Sequence, residues 1–105
     1  MVQHPYEQVG CFKDKNDPRA LPQFIQNYPV NETDLANSLA AVITACAGRV
    51  FTRGFWYFGV EYSYECWSGV NGSLTYNIHG PSNSCLSNYG VGSFWTIFVY
   101  RFTGG

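Results

Sequence analysis

The sequence contains few charged residues. Lys, Arg, Asp and Glu make up 12% of the 105 residues, against ~25% in ordinary soluble domains, and the formal net charge is -1. Lys13, Lys15 and four scattered arginines do not form a basic patch. The chain therefore lacks the electrostatic footprint of nucleic-acid-binding proteins, and we expect no nucleic-acid partner.

Long apolar runs are also missing. No uninterrupted run approaches the ~18 residues that a membrane-spanning helix needs, so we expect no membrane span. Met1 leads directly into the polar residues Gln3 and His4, without the apolar segment of a signal peptide. We expect a mature or recombinant form from which the targeting segment is absent.

The cysteines lack the paired spacing of zinc sites. The four are Cys11, Cys46, Cys66 and Cys85. None forms a Cys-x-x-Cys pair, and an even number in a short chain favours disulfides. The glycosylation sequons Asn31-Glu32-Thr33 and Asn71-Gly72-Ser73 agree with secretion. We therefore expect a secreted, extracellular protein with two disulfides.

The clearest local pattern predicts a helix over 33–47. Its apolar positions fall at i, i+4, i+7, i+8 and i+11, on one helix face, and are Leu35, Leu39, Val42, Ile43 and Cys46. Asn31 or Thr33 can cap its start. Gly48 is expected to end it in a left-handed conformation.

Strand patterns surround this helix, and 18% of the residues are aromatic. Strands are predicted at 6–12, 55–62, 64–67 and 96–102, with an irregular stretch at 22–29 and a turn at 68–73. Four aromatic residues are expected in the core or on the sheet: Trp56, Tyr57, Phe58 and Phe98. The length fits a single domain, 1–105. The predicted fold is α+β, a small antiparallel sheet with one packed α-helix and long loops.

Several short motifs together resemble a known family. They are Gly10-Cys11-Phe12-x-Asp14, Arg19-Ala20-Leu21, Ala45-Cys46-Ala47-Gly48, Tyr57-Phe58-Gly59-Val60-Glu61-Tyr62, Glu65-Cys66-Trp67-Ser68-Gly69 and Val99-Tyr100. They resemble the WSC domain family, in particular the WSC-like extracellular carbohydrate-binding domains of marine invertebrate type. The resemblance runs from about residue 6 to residue 101.

The resemblance implies a disulfide pairing. WSC domains usually have eight cysteines, whereas this chain has four. Carried over by position, the family pattern implies Cys11–Cys85 and Cys46–Cys66. Both partners of each of these bonds are present, and both partners of the family's other two bonds are missing.

The resemblance also implies a lectin-like function, the binding of glycans through a shallow loop site. Aromatic faces suit sugar C–H surfaces, and short polar side chains suit hydroxyls. The expected carbohydrate-binding residues are Glu65, Trp67, Asn71, Tyr76, Asn77, Asn88 and Trp95. Trp67 has an alternative role as a cover for the adjacent disulfide. Because a single shallow site is weak, self-association into a homo-oligomer or repetition would supply avidity.

Other functions stay open at this point. Asp14 and Asp17 lie in one loop and are candidate calcium ligands, although Asp14 can instead pair with Arg19 or cap a turn. Nuclease chemistry would have to recruit Glu61, His79 and Arg101, and glycosidase chemistry would need Glu61 with Glu65. Neither set stands out, so we expect no enzyme. The alternative to sugar binding is an extracellular protein-binding or structural disulfide module.

Overall fold

A computed structural model describes residues 5–104 and contains one five-stranded antiparallel sheet. The elements in chain order are β1 (Tyr6–Lys13), β2 (Gln23–Asn27), a 3-10 turn (Glu32–Asp34), α1 (Leu35–Thr52), β3 (Tyr57–Glu61), β4 (Glu65–Ser68), α2 (Gly72–Thr75) and β5 (Thr96–Phe102). Across the sheet the strand order is β1-β5-β3-β4-β2. The predicted α+β fold, with one long helix on an antiparallel sheet, is confirmed.

Side chains alternate along each strand, so each face of the sheet has its own apolar residues. Both faces are covered by other parts of the chain. On one face α1 packs against Phe58 and Val60 of β3, which are fully buried. On the other face the loop after β1 supplies Ala20 and Leu21, which pack on Ile97 and Val99 of β5. The second face is the one that carries the candidate site.

Two disulfides hold these layers together. Cys11–Cys85 joins β1 to the loop before β5, and Cys46–Cys66 joins α1 to β4. Both predicted pairings are confirmed. Bonds of this kind persist in oxidising surroundings, so the chain belongs to an extracellular or lumenal environment.

The helix begins where the sequence predicts and ends later. The Asn31 side chain accepts a hydrogen bond from the Thr33 backbone N–H at 3.0 Å, which caps the 3-10 turn before α1. The prediction that Gly48 ends the helix was wrong. Val50 follows Cys46 by one turn and is fully buried on the same face, so packing carries the helix to Thr52. Gly54 takes the left-handed conformation instead, with φ of 80°.

Two further expectations were also wrong. The stretch 22–29 contains β2, an edge strand that pairs with β4 and has a register shift between Phe24 and Gln26. Trp56 lies in the connection before β3 rather than in the core, and 54% of it is exposed. Phe58 and Phe98 are buried as expected, and Tyr57 is half-buried on the second face.

The segment Glu32–Thr52 is long and apolar enough to cross a bilayer by length and composition, with a mean hydropathy of 1.3. A core helix passes the same test. Here the helix buries five residues, Leu39, Val42, Cys46, Ala47 and Val50, and is bonded to β4 through Cys46. The expectation of no membrane span stays a prediction.

Candidate functional site

The surface has two concave regions of interest. A groove of about 640 Å³, here called the Trp56 groove, is lined by Glu7, Trp56, Tyr57, Ser73, Arg101, Phe102 and Thr103. A smaller cleft of about 190 Å³, here called the aromatic cleft, is lined by Arg19, Glu61, Tyr62, Glu65, Phe94 and Trp95. The Trp56 groove contains an exposed ion pair, Glu7–Arg101, at 2.7 Å. Of these two regions, the aromatic cleft is the one that joins exposed rings to buried or half-buried ionisable groups, so we take it as the candidate site.

Three loops meet at the aromatic cleft. The hairpin between β3 and β4 places Glu61 opposite Glu65. The backbone N–H of Tyr62 donates to Ser93 O at 3.2 Å, which ties this hairpin to the loop before β5. The N–H of Asp14 donates to Trp95 O at 3.0 Å and adds the loop after β1. Backbone hydrogen bonds therefore hold the three loops of the cleft together.

The backbone is strained at the same place. Tyr62, Ser63 and Trp95 have φ values of 52°, 70° and 53°, which lie in the left-handed region that residues other than glycine rarely adopt. Each such residue costs on the order of 1–3 kcal/mol and persists only where the surroundings enforce it. Gly92 is part of that enforcement, because a Cβ there would collide with the carbonyl oxygens of Val60 and Thr96. Strain of this kind concentrates at functional sites.

Arg19 occupies the centre of a charged and aromatic cluster. Its Nη1 lies 3.2 Å from Asp14 Oδ2 and 3.6 Å from Glu61 Oε2. Its guanidinium carbon lies 4.1 Å from the centroid of the Trp67 ring and 5.2 Å from that of Trp95. The flat guanidinium group thus connects the two indoles and neutralises the buried carboxylate of Asp14.

Asp14 is fixed from several directions. Its Oδ1 accepts hydrogen bonds from the backbone N–H of Ala20 at 2.8 Å and of Lys15 at 2.9 Å, and its side chain is 1% exposed. The loop after β1 is therefore folded around this carboxylate. The expected pairing of Asp14 with Arg19 is present.

Glu61 is the most perturbed acid of the cluster. It is 3% exposed, and burial raises its pKa from 4.5 to about 9. A hydrogen bond with Asp14 and the negative charges of Asp14 and Glu65 raise the pKa further, while Arg19 opposes them. Glu61 is therefore protonated at neutral pH. Its Oε1 is buried and has no hydrogen-bond partner among residues 5–104.

The rim of the cleft is aromatic and accessible. Tyr62 is 47% exposed, Phe94 69% and Trp95 42%. Phe94 contacts Tyr62 and Trp95 edge-to-face, with ring centroids 5.9 Å and 6.2 Å apart. On the β4 side, Trp67 Nε1 donates to Glu65 Oε1 at 3.2 Å, which orients that carboxyl group. The site thus combines ring faces with oriented polar groups.

The structure brings together three of the seven predicted sugar-binding residues. Glu65 and Trp95 line the cleft, and Trp67 joins it through Arg19 and Glu65. Trp67 points to the sheet face opposite the Cys46–Cys66 bond, so it does not cover that disulfide.

The other four predicted residues lie apart from the cleft lining. Tyr76 is half-buried on the second face of the sheet, where its ring stacks on Tyr57 at 5.3 Å and lies edge-on to Phe12 at 5.0 Å. The remaining three are exposed asparagines in the loops between β4 and β5: Asn71, Asn77 and Asn88. They contribute nothing to the lining of the aromatic cleft.

Sequence reasoning did not assign Arg19, Glu61 or Phe94 to the sugar site. A signal existed for Glu61, since a short hairpin between two predicted strands places it opposite Glu65. For Arg19 and Phe94 the sequence carries no such signal, because their positions depend on loops that meet only in the folded chain.

The candidate metal ligands do not converge. Asp14 is occupied by Arg19 and two backbone N–H groups, and Asp17 is exposed. Among residues 5–104 no group of three or more His, Cys, Asp or Glu side chains could hold a metal ion.

The three residues that nuclease chemistry would have to recruit occupy different places. Glu61 lines the aromatic cleft and Arg101 lines the Trp56 groove. His79 Nε2 lies 2.7 Å from Pro18 O.

Comparison with known proteins relates the chain to a domain-sized region of larger proteins. It is 33% identical over 102 residues to the xylosyltransferase sqv-6 of Caenorhabditis elegans, a match that covers 90% of this chain and 12% of that protein. The xylosyltransferase sqv-6 of Caenorhabditis briggsae is 30% identical over 63 residues, which is 60% of this chain and 7% of that protein. No family model matches the chain. The similarity is distant but extends over most of the chain.

Proposed function

We propose that this chain is a secreted carbohydrate-binding module, WSC-like in its motifs, that binds glycans in the aromatic cleft. The observation that carries the proposal is the set of exposed rings, two of them on left-handed backbone, around a cluster of oriented carboxyl groups. The two relatives support it indirectly, because both are named for the transfer of a sugar, xylose. The matched region is a small part of each relative, so their transferase activity is not carried over to this chain.

The chemistry of the cleft suits a pyranose ring. The apolar C–H face of a sugar stacks on an aromatic ring, and Trp95 and Tyr62 are exposed rings at the rim of the cleft. Sugar hydroxyls both donate and accept hydrogen bonds. Glu65 can accept them, and the fixed geometry of the cleft removes part of the ordering cost of binding.

One site of this kind binds weakly. Each hydrogen bond that replaces one with water contributes only ~1 kcal/mol net. We therefore expect a dissociation constant near 1 mM, about -4 kcal/mol. Useful avidity then requires several sites, through self-association of this chain or through repetition within a longer protein.

A second candidate function, protein binding, is favoured by a different surface. Val70 is 82% exposed, Leu74 73% and Ile78 45%, and they follow one another at four-residue intervals in and around α2. Apolar side chains exposed in a row are typical of protein contacts. This surface is separate from the lining of the aromatic cleft.

The test is a titration of the isotope-labelled protein with neutral monosaccharides and oligosaccharides, followed by NMR. We expect shifts at Tyr62, Phe94 and Trp95, and their loss in Trp95→Ala. Trp56→Ala is the matched control, since it also removes an exposed indole but in the Trp56 groove.

Three outcomes would contradict the proposal. Loss of binding in Trp56→Ala but not in Trp95→Ala would place the site in the other groove. No shift with any sugar would favour the protein-binding function. Loss of binding on addition of a chelator would mean that the sugar is held through calcium, and not by the rings and carboxyl groups of the cleft alone.

A further inference from the structure

The aromatic cleft contains more negative than positive groups. Two carboxylates, Asp14 and Glu65, and the protonated carboxyl group of Glu61 surround a single cation, Arg19. That cation is already engaged, since it pairs with Asp14, contacts the carboxyl group of Glu61, is flanked by two indoles and is only 20% exposed. A ligand entering the cleft therefore meets Glu65 rather than an available guanidinium.

The raised pKa of Glu61 indicates that the aromatic cleft disfavours an additional negative charge. Burial is the main cause that raises the pKa of Glu61 and keeps its carboxyl group protonated; the hydrogen bond with Asp14 and the negative charges of Asp14 and Glu65 act in the same direction, against the opposing effect of Arg19. An anionic group on a ligand would meet the same unfavourable surroundings. A cationic group would be favoured by them, because it restores the balance that one arginine leaves incomplete.

The rings at the rim favour the same kind of ligand. Phe94 contacts both Tyr62 and Trp95 edge-to-face, and these three exposed rings line the cleft together with Glu65. Aromatic faces attract ammonium groups through the ring quadrupole, and several rings with a nearby carboxylate are a recurrent arrangement for binding ammonium ligands. The same faces accept the C–H surface of a sugar ring.

We propose that the aromatic cleft selects sugars bearing a protonated amine, with the ammonium group paired to Glu65 and the sugar ring on the aromatic rim. This inference rests on the proposed function and adds the charge class of the ligand. It orders three sugars of similar size: amino sugar first, neutral sugar second, uronic acid last.

The experiment compares glucosamine, glucose and glucuronate at pH 6 and equal ionic strength, again by NMR shifts of the labelled protein. We expect glucosamine to bind about fivefold more tightly than glucose, the factor contributed by one partly exposed ion pair. Glucuronate should bind more weakly than glucose. Glucuronate binding at least as tight as that of glucose, or glucosamine binding no tighter than glucose, would overturn the inference.

Variants assign the preference to one carboxyl group. Glu65→Gln should abolish the advantage of glucosamine over glucose, because the ratio of the two affinities cancels any effect of the substitution on the binding of the shared sugar ring. Glu7→Gln is the matched control, because it removes a surface carboxylate from the Trp56 groove and should leave the preference intact. If Glu65→Gln keeps the full preference, Glu65 is not the partner of the amine and the inference is wrong.

A sugar-free probe separates this inference from the proposed function. Tetramethylammonium and acetate are titrated in turn, and we expect the first but not the second to shift the resonances of Trp95 and Tyr62. If no sugar binds but tetramethylammonium does, the lectin proposal fails and the cation preference stands. If acetate shifts these resonances and tetramethylammonium does not, the cation preference fails whatever the sugars do.

Discussion

The buried acid Glu61 gives the fold a pH dependence that can be measured. Its pKa is raised from 4.5 to about 9, mainly by burial and then by Asp14. Between these two values the folded state holds a proton that the unfolded state releases. Stability from this group is therefore fully present below pH 4.5 and declines as the pH rises toward 9, by about 1.4 kcal/mol per pH unit.

Glu61→Gln removes this decline, because glutamine has the same shape and no proton to lose. From the two pKa values the difference in unfolding free energy between variant and wild type should change by about 4 kcal/mol between pH 5 and pH 8, in favour of the variant at high pH. Against a total of about 5–15 kcal/mol for a typical domain, this is a large effect.

The assay is urea denaturation with the disulfides intact, followed by tryptophan fluorescence at pH 5, 6, 7 and 8. Asp14, Arg19 and Glu65 face Glu61 and are present in both proteins, so the difference isolates Glu61. Glu7→Gln, whose carboxylate is 44% exposed, should keep the wild-type slope. Parallel pH profiles for wild type and Glu61→Gln would refute the reasoning, since they would mean that Glu61 ionises alike in both states.

Two other stability predictions follow from covalent and steric constraints. Replacing Cys46 and Cys66 together by alanine should lower the free energy of unfolding by about 3 kcal/mol, and replacing Cys11 and Cys85 should lower it by about 4 kcal/mol. The second loss is larger because that bond closes a separation of 74 residues and the first only 20. Equal losses in chemical denaturation would contradict this loop-length argument. Gly92→Ala should destabilise the fold by about 2–3 kcal/mol, because its Cβ would collide with two carbonyl oxygens. Gly48→Ala lies in open space within α1 and should stabilise the fold by about 1 kcal/mol. If thermal unfolding ranks the two variants the other way, the loop before β5 can move enough to accommodate a Cβ.

Local features of the fold could be predicted from the sequence, and features made by distant contacts could not. The helix followed from its apolar spacing, and β5 was predicted over the residues it occupies. The helix end at Gly48 failed because tertiary packing of Val50 outweighed the intrinsic tendency of glycine. β2 was missed because prolines on both sides suggested an irregular loop, whereas an edge strand tolerates them.

For the site, residue type was a better guide than position. The sequence singled out Trp67, Trp95 and Glu65 as the kinds of residue that sugars need, and these three meet. Asn71, Asn77 and Asn88 satisfied the same chemical criterion but do not line the aromatic cleft. Arg19, which connects the charged and aromatic groups of the site, precedes Glu61 by 42 residues in the sequence, and only the fold brings its Nη1 to 3.6 Å from Glu61 Oε2.

The positions of the two disulfides explain how a small domain keeps a cleft whose residues lower the stability of the fold. Left-handed residues at Tyr62 and Trp95 lower stability at one end of the sheet, and so at neutral pH does the buried Glu61, which has to take up a proton on folding. Cys66 lies between Glu65 and Trp67, so its bond to α1 fixes the strand that carries both. Cys11 precedes Asp14 by three residues and fixes the strand that leads into the Arg19 loop. Because a bond next to a strained segment opposes its local opening, cross-links at these two strands keep the cleft preformed without requiring a larger core.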